Sequence, residues 1–203
     1  MAPHRVRMEA ASRRAMIVDE ATQLIHEKGY YNFSVQDLAE RCGLTNAGLM
    51  HHFGTKEEIL ACVLRARDER DAAVAGVLTA DYTAGRQLPT ELSLEQAFDV
   101  VRRLVERNVQ QAELLRLHAV LRNEALSPEH PAHDFFRDRD SNAIAFYAEI
   151  FAASVKDPES FARHVLALID GLEVQWLRAS DEVDLWAEVE QGIESLLNGS
   201  EYN

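Results

Sequence analysis

Apolar positions along this chain recur at intervals of three and four, with polar residues between them, over most of its length. Ile17, Ala21, Leu24 and Ile25 fall at i, i+4, i+7 and i+8, which predicts a helix over 13–28 that Gly29 stops. Residues 33–60 then pack three helix starts into a short run. Ser34-Val35-Gln36-Asp37 and Thr55-Lys56-Glu57-Glu58 both have the hydroxyl-to-carboxylate spacing of a capping box. Between them Gly43 ends one short helix and Thr45 starts another of about two turns, reaching His51. Val35, Leu38 and Ala39 give the first an inward face, and Leu44 and Leu49 supply the apolar contacts of the second. Tyr30, Tyr31 and Phe33 read as the small core beneath this three-helix unit rather than as base-stacking rings.

From Thr55 the period continues in one long helix to Leu78, on the order of 36 Å at helical rise. Ile59, Leu60, Val63 and Leu64 grip the N-terminal unit, Val74, Val77 and Leu78 grip something further on, and the polar middle over 65–71 reads as a solvated bridge. The clearest loop is 80–90, with Gly85 and Pro89. Ser93-Leu94-Glu95-Gln96 is another capping box, after which Leu94, Ala97, Phe98, Val101, Leu104, Val105 and Val109 keep a helical period. Leu114, Leu117, His118 and Leu121 continue it in a separate helix ending near Leu126. A further helix is predicted over 132–154, carrying Phe135, Tyr147, Ile150 and Phe151. Asp157-Pro158 opens the next, to about Ala179, with a cap residue and proline at the first helical position. This helix is apolar nearly all round, so it needs cover on more than one side. The last helix is predicted over 181–198. No alternating pattern of a strand occurs, and the fold class is all-α.

Net charge changes the picture only when it is split. The chain of 203 residues carries −13 overall, but residues 1–56 hold 7 Lys/Arg against 6 Asp/Glu, while 57–203 hold 14 against 28. The acidic surplus therefore lies entirely outside residues 1–56, as expected when one end of a molecule meets phosphate. Arg5, Arg7, Arg13 and Arg14 form a basic arm that either tracks phosphates or the minor groove, or is a plain tail. No apolar run approaches the roughly 18–20 residues of a membrane span, and the N-terminus lacks a signal-peptide core, so no membrane partner is predicted and the cytoplasm is the default compartment. Cys42 and Cys62 read as packed, reduced thiols.

Two short helices across a glycine-containing turn are what a helix-turn-helix needs, with the second free to enter a major groove. The run resembles the DNA-binding domain of the TetR/AcrR family of transcriptional regulators. The similarity begins at Ile17, Ala21, Leu24, Ile25 and Gly29-Tyr30. It continues through Ser34-Val35, Asp37-Leu38-Ala39, Cys42-Gly43-Leu44-Thr45, Gly48-Leu49, His52-Phe53 and Lys56-Glu57. One position departs: Met50 stands where the family usually has an aromatic, commonly Tyr, that touches a phosphate. The resemblance implies a helix-turn-helix domain over 1–56 and a helical ligand-binding and dimerisation domain over 57–203. It implies that Asn46, Ala47 and Gly48 read base edges, and that Ser34, Thr45, His51 and Lys56 meet phosphates. It further implies a homodimer on a palindromic operator in double-stranded DNA, more often repressing than activating, and released by a small-molecule effector.

The dimer pair is assigned to the last two helices, where Leu166, Ile169, Gly171, Val174, Leu177, Trp186, Val189, Ile193 and Leu196 await cover by a second copy in a four-helix bundle. Effector contacts are assigned to Phe98, Arg102, His118, Leu121, Arg122, Tyr147 and Trp176, where aromatic and polar groups interrupt aliphatic faces. His118, His130 and His133, with Glu124 and Asp134 nearby, fit no zinc signature, and His51 and His52 diverge along their helix. With no glycine-rich phosphate loop and no nucleophile elbow, neither catalysis, a metal nor a cofactor is predicted. The competing reading is a helical adaptor that has lost specific DNA binding.

Overall fold

The structure, a computed structural model, describes residues 10–78 and 92–200, with side chains for all of these except 71–78 and 200. Among the described residues every regular element is helical: α1 (Ala10–Lys28), a 3-10 turn (Tyr30–Asn32), α2 (Val35–Arg41), α3 (Asn46–Met50), α4 (Lys56–Leu78), α5 (Leu94–Gln110), α6 (Ala112–Glu124), α7 (His133–Phe151), α8 (Pro158–Trp176) and α9 (Leu185–Ser200). Arg5, Arg7 and the loop predicted over 80–90 lie outside the described residues.

The predicted caps form in three different ways. At α5 the box closes fully: Gln96 N donates to Ser93 Oγ at 3.2 Å and Ser93 N to Gln96 Oε1 at 2.9 Å. At α2, Asp37 N donates to Ser34 Oγ at 3.1 Å, but the Asp37 carboxylate takes Lys28 Nζ at 2.9 Å. At α4, Glu58 N donates to Thr55 Oγ1 at 3.1 Å, and the Glu58 carboxylate reaches one residue further back, to Gly54 N at 2.9 Å. The last helix starts later than periodicity suggests because Asp184, not Asp181, caps it; Ala187 N donates to Asp184 Oδ1 at 3.1 Å.

Two apolar cores result. The first buries Ile17, Leu24, Ile25, Leu38, Leu49 and Phe53 with Ile59, Leu60, Val63 and Leu64 of α4. Leu114, Leu117 and Leu121 of α6 and Phe136 of α7 close that same core, so α6 stands with one face in the N-terminal unit. At its foot, Glu113 Oε2 accepts the Tyr30 amide at 3.1 Å across the α1–α2 turn, where Gly29 sits at φ 78°. The second core joins α5, α7, α8 and α9 through residues such as Val101, Phe151, Phe161, Val165 and Val189.

Three expectations are corrected here. Arg13 and Arg14 belong to α1 rather than to an arm, because the helix begins at Ala10 and Arg14 has structural partners in the chain. The polar middle of α4 is not a solvated bridge: Arg67 is 2% exposed and bonds Asn108 Oδ1, and Asp68 takes Arg139 Nε at 2.9 Å. Leu166, Ile169, Val189 and Ile193 do not await a second copy; they are buried within one protomer, on the α8 and α9 faces that turn to α5 and α7.

Candidate nucleic-acid interface and interior cleft

The helix-turn-helix begins with the cap of α3. Gly48 N donates to Thr45 Oγ1 at 3.0 Å, which fixes the first turn of a helix only five residues long. Leu49 is fully buried and Phe53 nearly so, and they hold the helix by one side. Thr45, Asn46, Ala47 and His51 are left exposed on the other, with Gly48 half-buried. Met50 packs against the domain core, so its thioether serves packing where an aromatic would project. Behind α3 the corner is clamped by Arg14: its guanidinium lies 4.1 Å from the centre of the Phe53 ring, donates to the His52 carbonyl and pairs with Glu58 at 3.2 Å. Lys56 donates to the Phe33 carbonyl at 3.2 Å, which brings its ammonium beside the Ser34 cap of α2. On the outer flank Arg41 binds Glu27 through two nitrogens and Glu20 through a third at 2.6 Å, and these carboxylates hold its guanidinium charged.

The C-terminal helices enclose a polar interior that the sequence reading did not anticipate. Asn108 accepts from Arg67 and donates to Glu173 Oε1 at 2.6 Å. Arg122 lies between Asp170 and Asp140, the latter at 3.1 Å. Burial first, with Asp170 assisting, pushes the Glu173 carboxyl up to about 7 against the pull of Asn108 and of Arg67 and Arg139. Burial also holds His118 well below its ordinary value, and the nearby Arg139, Arg67 and Arg122 add to this. The imidazole is thus neutral, 4% exposed, and among the described residues Nε2 makes no hydrogen bond. Above this network a cleft of about 520 Å³ opens between α4, α5 and α7, walled by Leu104, Phe135, Phe146 and Tyr147 with Arg67, Asn108 and Arg139. The signal that could have found the network is the row of charged residues on α4 at positions the helical period turns inward.

Residues 17–63 match the family model of bacterial regulatory proteins, tetR family. The chain is a TetR-family transcriptional regulator. The regulator is 25% identical over 203 residues to the HTH-type transcriptional regulator TtgR of Pseudomonas putida, across 96% of this chain and 94% of that protein. Its fold is similar to that of Thermus thermophilus FadR, a TetR-family repressor solved with lauroyl-CoA, at a TM-score of 0.68 and 18% identity over 92% of this chain and 94% of that one. It is also similar to NalD of Pseudomonas aeruginosa, the secondary repressor of the MexAB-OprM multidrug efflux pump, at a TM-score of 0.63 and 21% identity over 94% and 96%.

In this regulator the residues assigned to DNA fall into two groups. Thr45, Asn46, Ala47, Gly48 and His51 share α3 and its cap, and Ser34 meets Lys56 at the start of α2. The residues assigned to an effector scatter. Tyr147 walls the α4–α5–α7 cleft; His118 and Arg122 belong to the polar interior beside it; Leu121 and Trp176 are core. Phe98 and Arg102 lie elsewhere, in a surface cleft between α5 and α9 where the Phe98 ring meets Trp186 edge-on at 6.4 Å. Trp186 is therefore turned to α5. Val174 and Leu177 line a groove with Tyr31 and Arg116, Gly171 is exposed with nothing among the described residues within 4 Å of an added Cβ, and Leu196 is half-buried. Among the described residues no helix is long and apolar enough to cross a membrane, and no His, Cys, Asp or Glu cluster is suited to a metal.

Proposed function

We propose that this regulator represses transcription by binding a palindromic operator as a dimer, and that a small molecule entering its C-terminal helices releases it. The observation that carries the reading is the exposed row Thr45, Asn46, Ala47 and His51 on a capped helix whose opposite side is locked by Leu49 and Phe53. A rigid short helix offering an amide-bearing side chain, small residues and an open N-terminus suits a major groove. Asn46 pairs with adenine, Ala47 and Gly48 allow close approach, and Ser34, Thr45, His51 and Lys56 meet phosphates. The names of NalD and FadR as repressors, and the lauroyl-CoA held by FadR, support repression and an effector here.

The effector site is the α4–α5–α7 cleft with Tyr147 in its wall, and the dimer forms on α8 and α9, where Leu168, Gly171 and Leu172 share one incompletely covered side. For a ligand to release DNA it must favour the conformation that does not bind the operator.

The test is a titration of the protein against the DNA upstream of its own gene and against unrelated DNA, over a range of salt. Binding to the upstream DNA should weaken with salt at a log–log slope of about −0.9 per phosphate neutralised. Lys56→Ala is expected to weaken all sequences alike and reduce that slope by about 1, whereas Asn46→Ala relaxes preference at one position per half-site, by about 1–3 kcal/mol. If both variants bind every DNA as the parent does, the contact surface is misassigned and the adaptor reading gains.

A further inference from the structure

Of the three arginines that line the cleft between α4, α5 and α7, Arg65 is exposed and the other two sit deeper. Its deep cations are Arg67, 2% exposed, and Arg139, whose side chain is 22% exposed. Its acids lie shallower: Asp68 is engaged by Arg139, Glu69 is exposed, and Asp138 has a side chain 67% exposed and turned to Arg137. The carboxylates of Asp170, Glu173 and Asp140 do not line the cleft. A ligand entering from outside therefore meets positive charge at the end of its path.

Arg139 is poised for such a meeting. It uses Nε on Asp68, and among the described residues its two terminal nitrogens make no hydrogen bond. Those two nitrogens form one edge of a planar fork, the edge that matches the two oxygens of a carboxylate. Apart from these charged residues, Asn108 and Asn142, the wall is apolar and aromatic. Phe135, Arg139, Ala143 and Phe146 follow one another at helical spacing along α7, and Leu104 and Tyr147 complete the wall. Such a wall excludes water from part of the cleft, which strengthens a charge-assisted bond within it.

Resting on the reading of this cleft as the effector site, we propose that it takes an amphipathic carboxylate. The headgroup bridges the terminal nitrogens of Arg139, with Arg67 behind, and an aryl or alkyl body lies against Leu104, Phe135 and Phe146. A cationic ligand of the same shape would face two guanidiniums at the cleft's floor, and an uncharged one would leave the Arg139 fork unused.

The test compares 4-phenylbutyrate, 4-phenylbutylamine and 4-phenylbutanol, titrated by calorimetry into the full-length protein without DNA. The carboxylate is expected to bind with a Kd of about 1 mM or tighter, at least about tenfold tighter than either analogue. In Arg139→Gln the carboxylate should fall to the level of the alcohol, with alcohol binding unchanged and thermal unfolding reporting that the variant is folded. Equal binding of all three, preference for the amine, or no carboxylate binding at about 10 mM would overturn the proposal. If Arg139→Gln does not fold, the three-way comparison on the unaltered protein decides alone. Release from operator DNA is measured separately: a carboxylate that binds in an Arg139-dependent way without releasing DNA supports the ligand class and sinks the effector reading. Release by the amine with no carboxylate binding does the reverse.

Discussion

Glu173 is a carboxyl whose ordinary value is 4.5 and which burial, first of all, pushes up to about 7. Between those two values the folded chain binds a proton that the unfolded chain does not, so this residue's contribution to stability declines as pH rises. The loss is complete above pH 7 and amounts to about 3 kcal/mol. Glu173→Gln keeps an oxygen for Asn108 and removes the charge. It is expected to raise the midpoint of thermal unfolding at pH 8 and to change it little at pH 4, by scanning calorimetry at both. An equal effect at the two pH values would mean the carboxyl is not held neutral by its surroundings. His118 works in the opposite sense. Its folded form is neutral well below 6.5, so acidification through that value protonates the unfolded chain and lowers stability. Neither behaviour is visible in a residue string, since both depend on which groups α4, α5 and α7 carry to the same place.

At the scale of elements, the spacing of α8 and α9 is set by one missing side chain. A Cβ at Gly192 would stand 2.5 Å from Leu168 Cδ2 and 2.9 Å from Cδ1. Leu168 is half-buried and the nearest atoms are the flexible end of its side chain, so Gly192→Ala is expected to cost about 1 kcal/mol, less than a fully locked contact would. Chemical denaturation reads this directly, and an unchanged or raised stability would show that α9 yields without cost. The periodicity along the chain predicts both helices and their order, but it treats every apolar position on them alike. Packing against α5 and α7 is what turned Leu166, Ile169, Val189 and Ile193 inward and left Leu168 and Leu172 half-covered. Likewise the three capping signals all produced helix starts, and tertiary neighbours then decided where each carboxylate went: Asp37 to Lys28, Glu58 to Gly54 and Arg14.

For the whole molecule, the exposed Gly171 distinguishes folding from association. A Cβ added there meets nothing within 4 Å among the described residues, and a mid-helix glycine is dearer than alanine by about 1 kcal/mol. Gly171→Trp is therefore expected to leave thermal stability of the protomer fold intact while converting a dimer to monomer in sedimentation velocity and weakening operator binding by about tenfold or more. A Gly171→Trp protein that remains dimeric would move the interface off this side of α8. The division of charge acts at the same scale: residues 1–56 are near neutral to slightly basic, and the acidic surplus lies in residues 57–203.

The helical class, the order of the helices, the caps at Ser34, Thr45, Thr55 and Ser93, and the resemblance of 17–63 to one regulator family are all written in the residue string. These are local properties: period, cap chemistry and a motif contiguous in the chain. Tertiary structure decided that Arg14 clamps the corner behind α3, that Arg67 is buried and not solvated, and that Tyr147 walls a cleft which Phe98 and Arg102 do not share. Each of those depends on partners 38 or more positions away: His52 for Arg14, Asn108 for Arg67, and Leu104 across the cleft from Tyr147. A helical period says which way a side chain points from its own axis, and only the packing of helices says what it then meets.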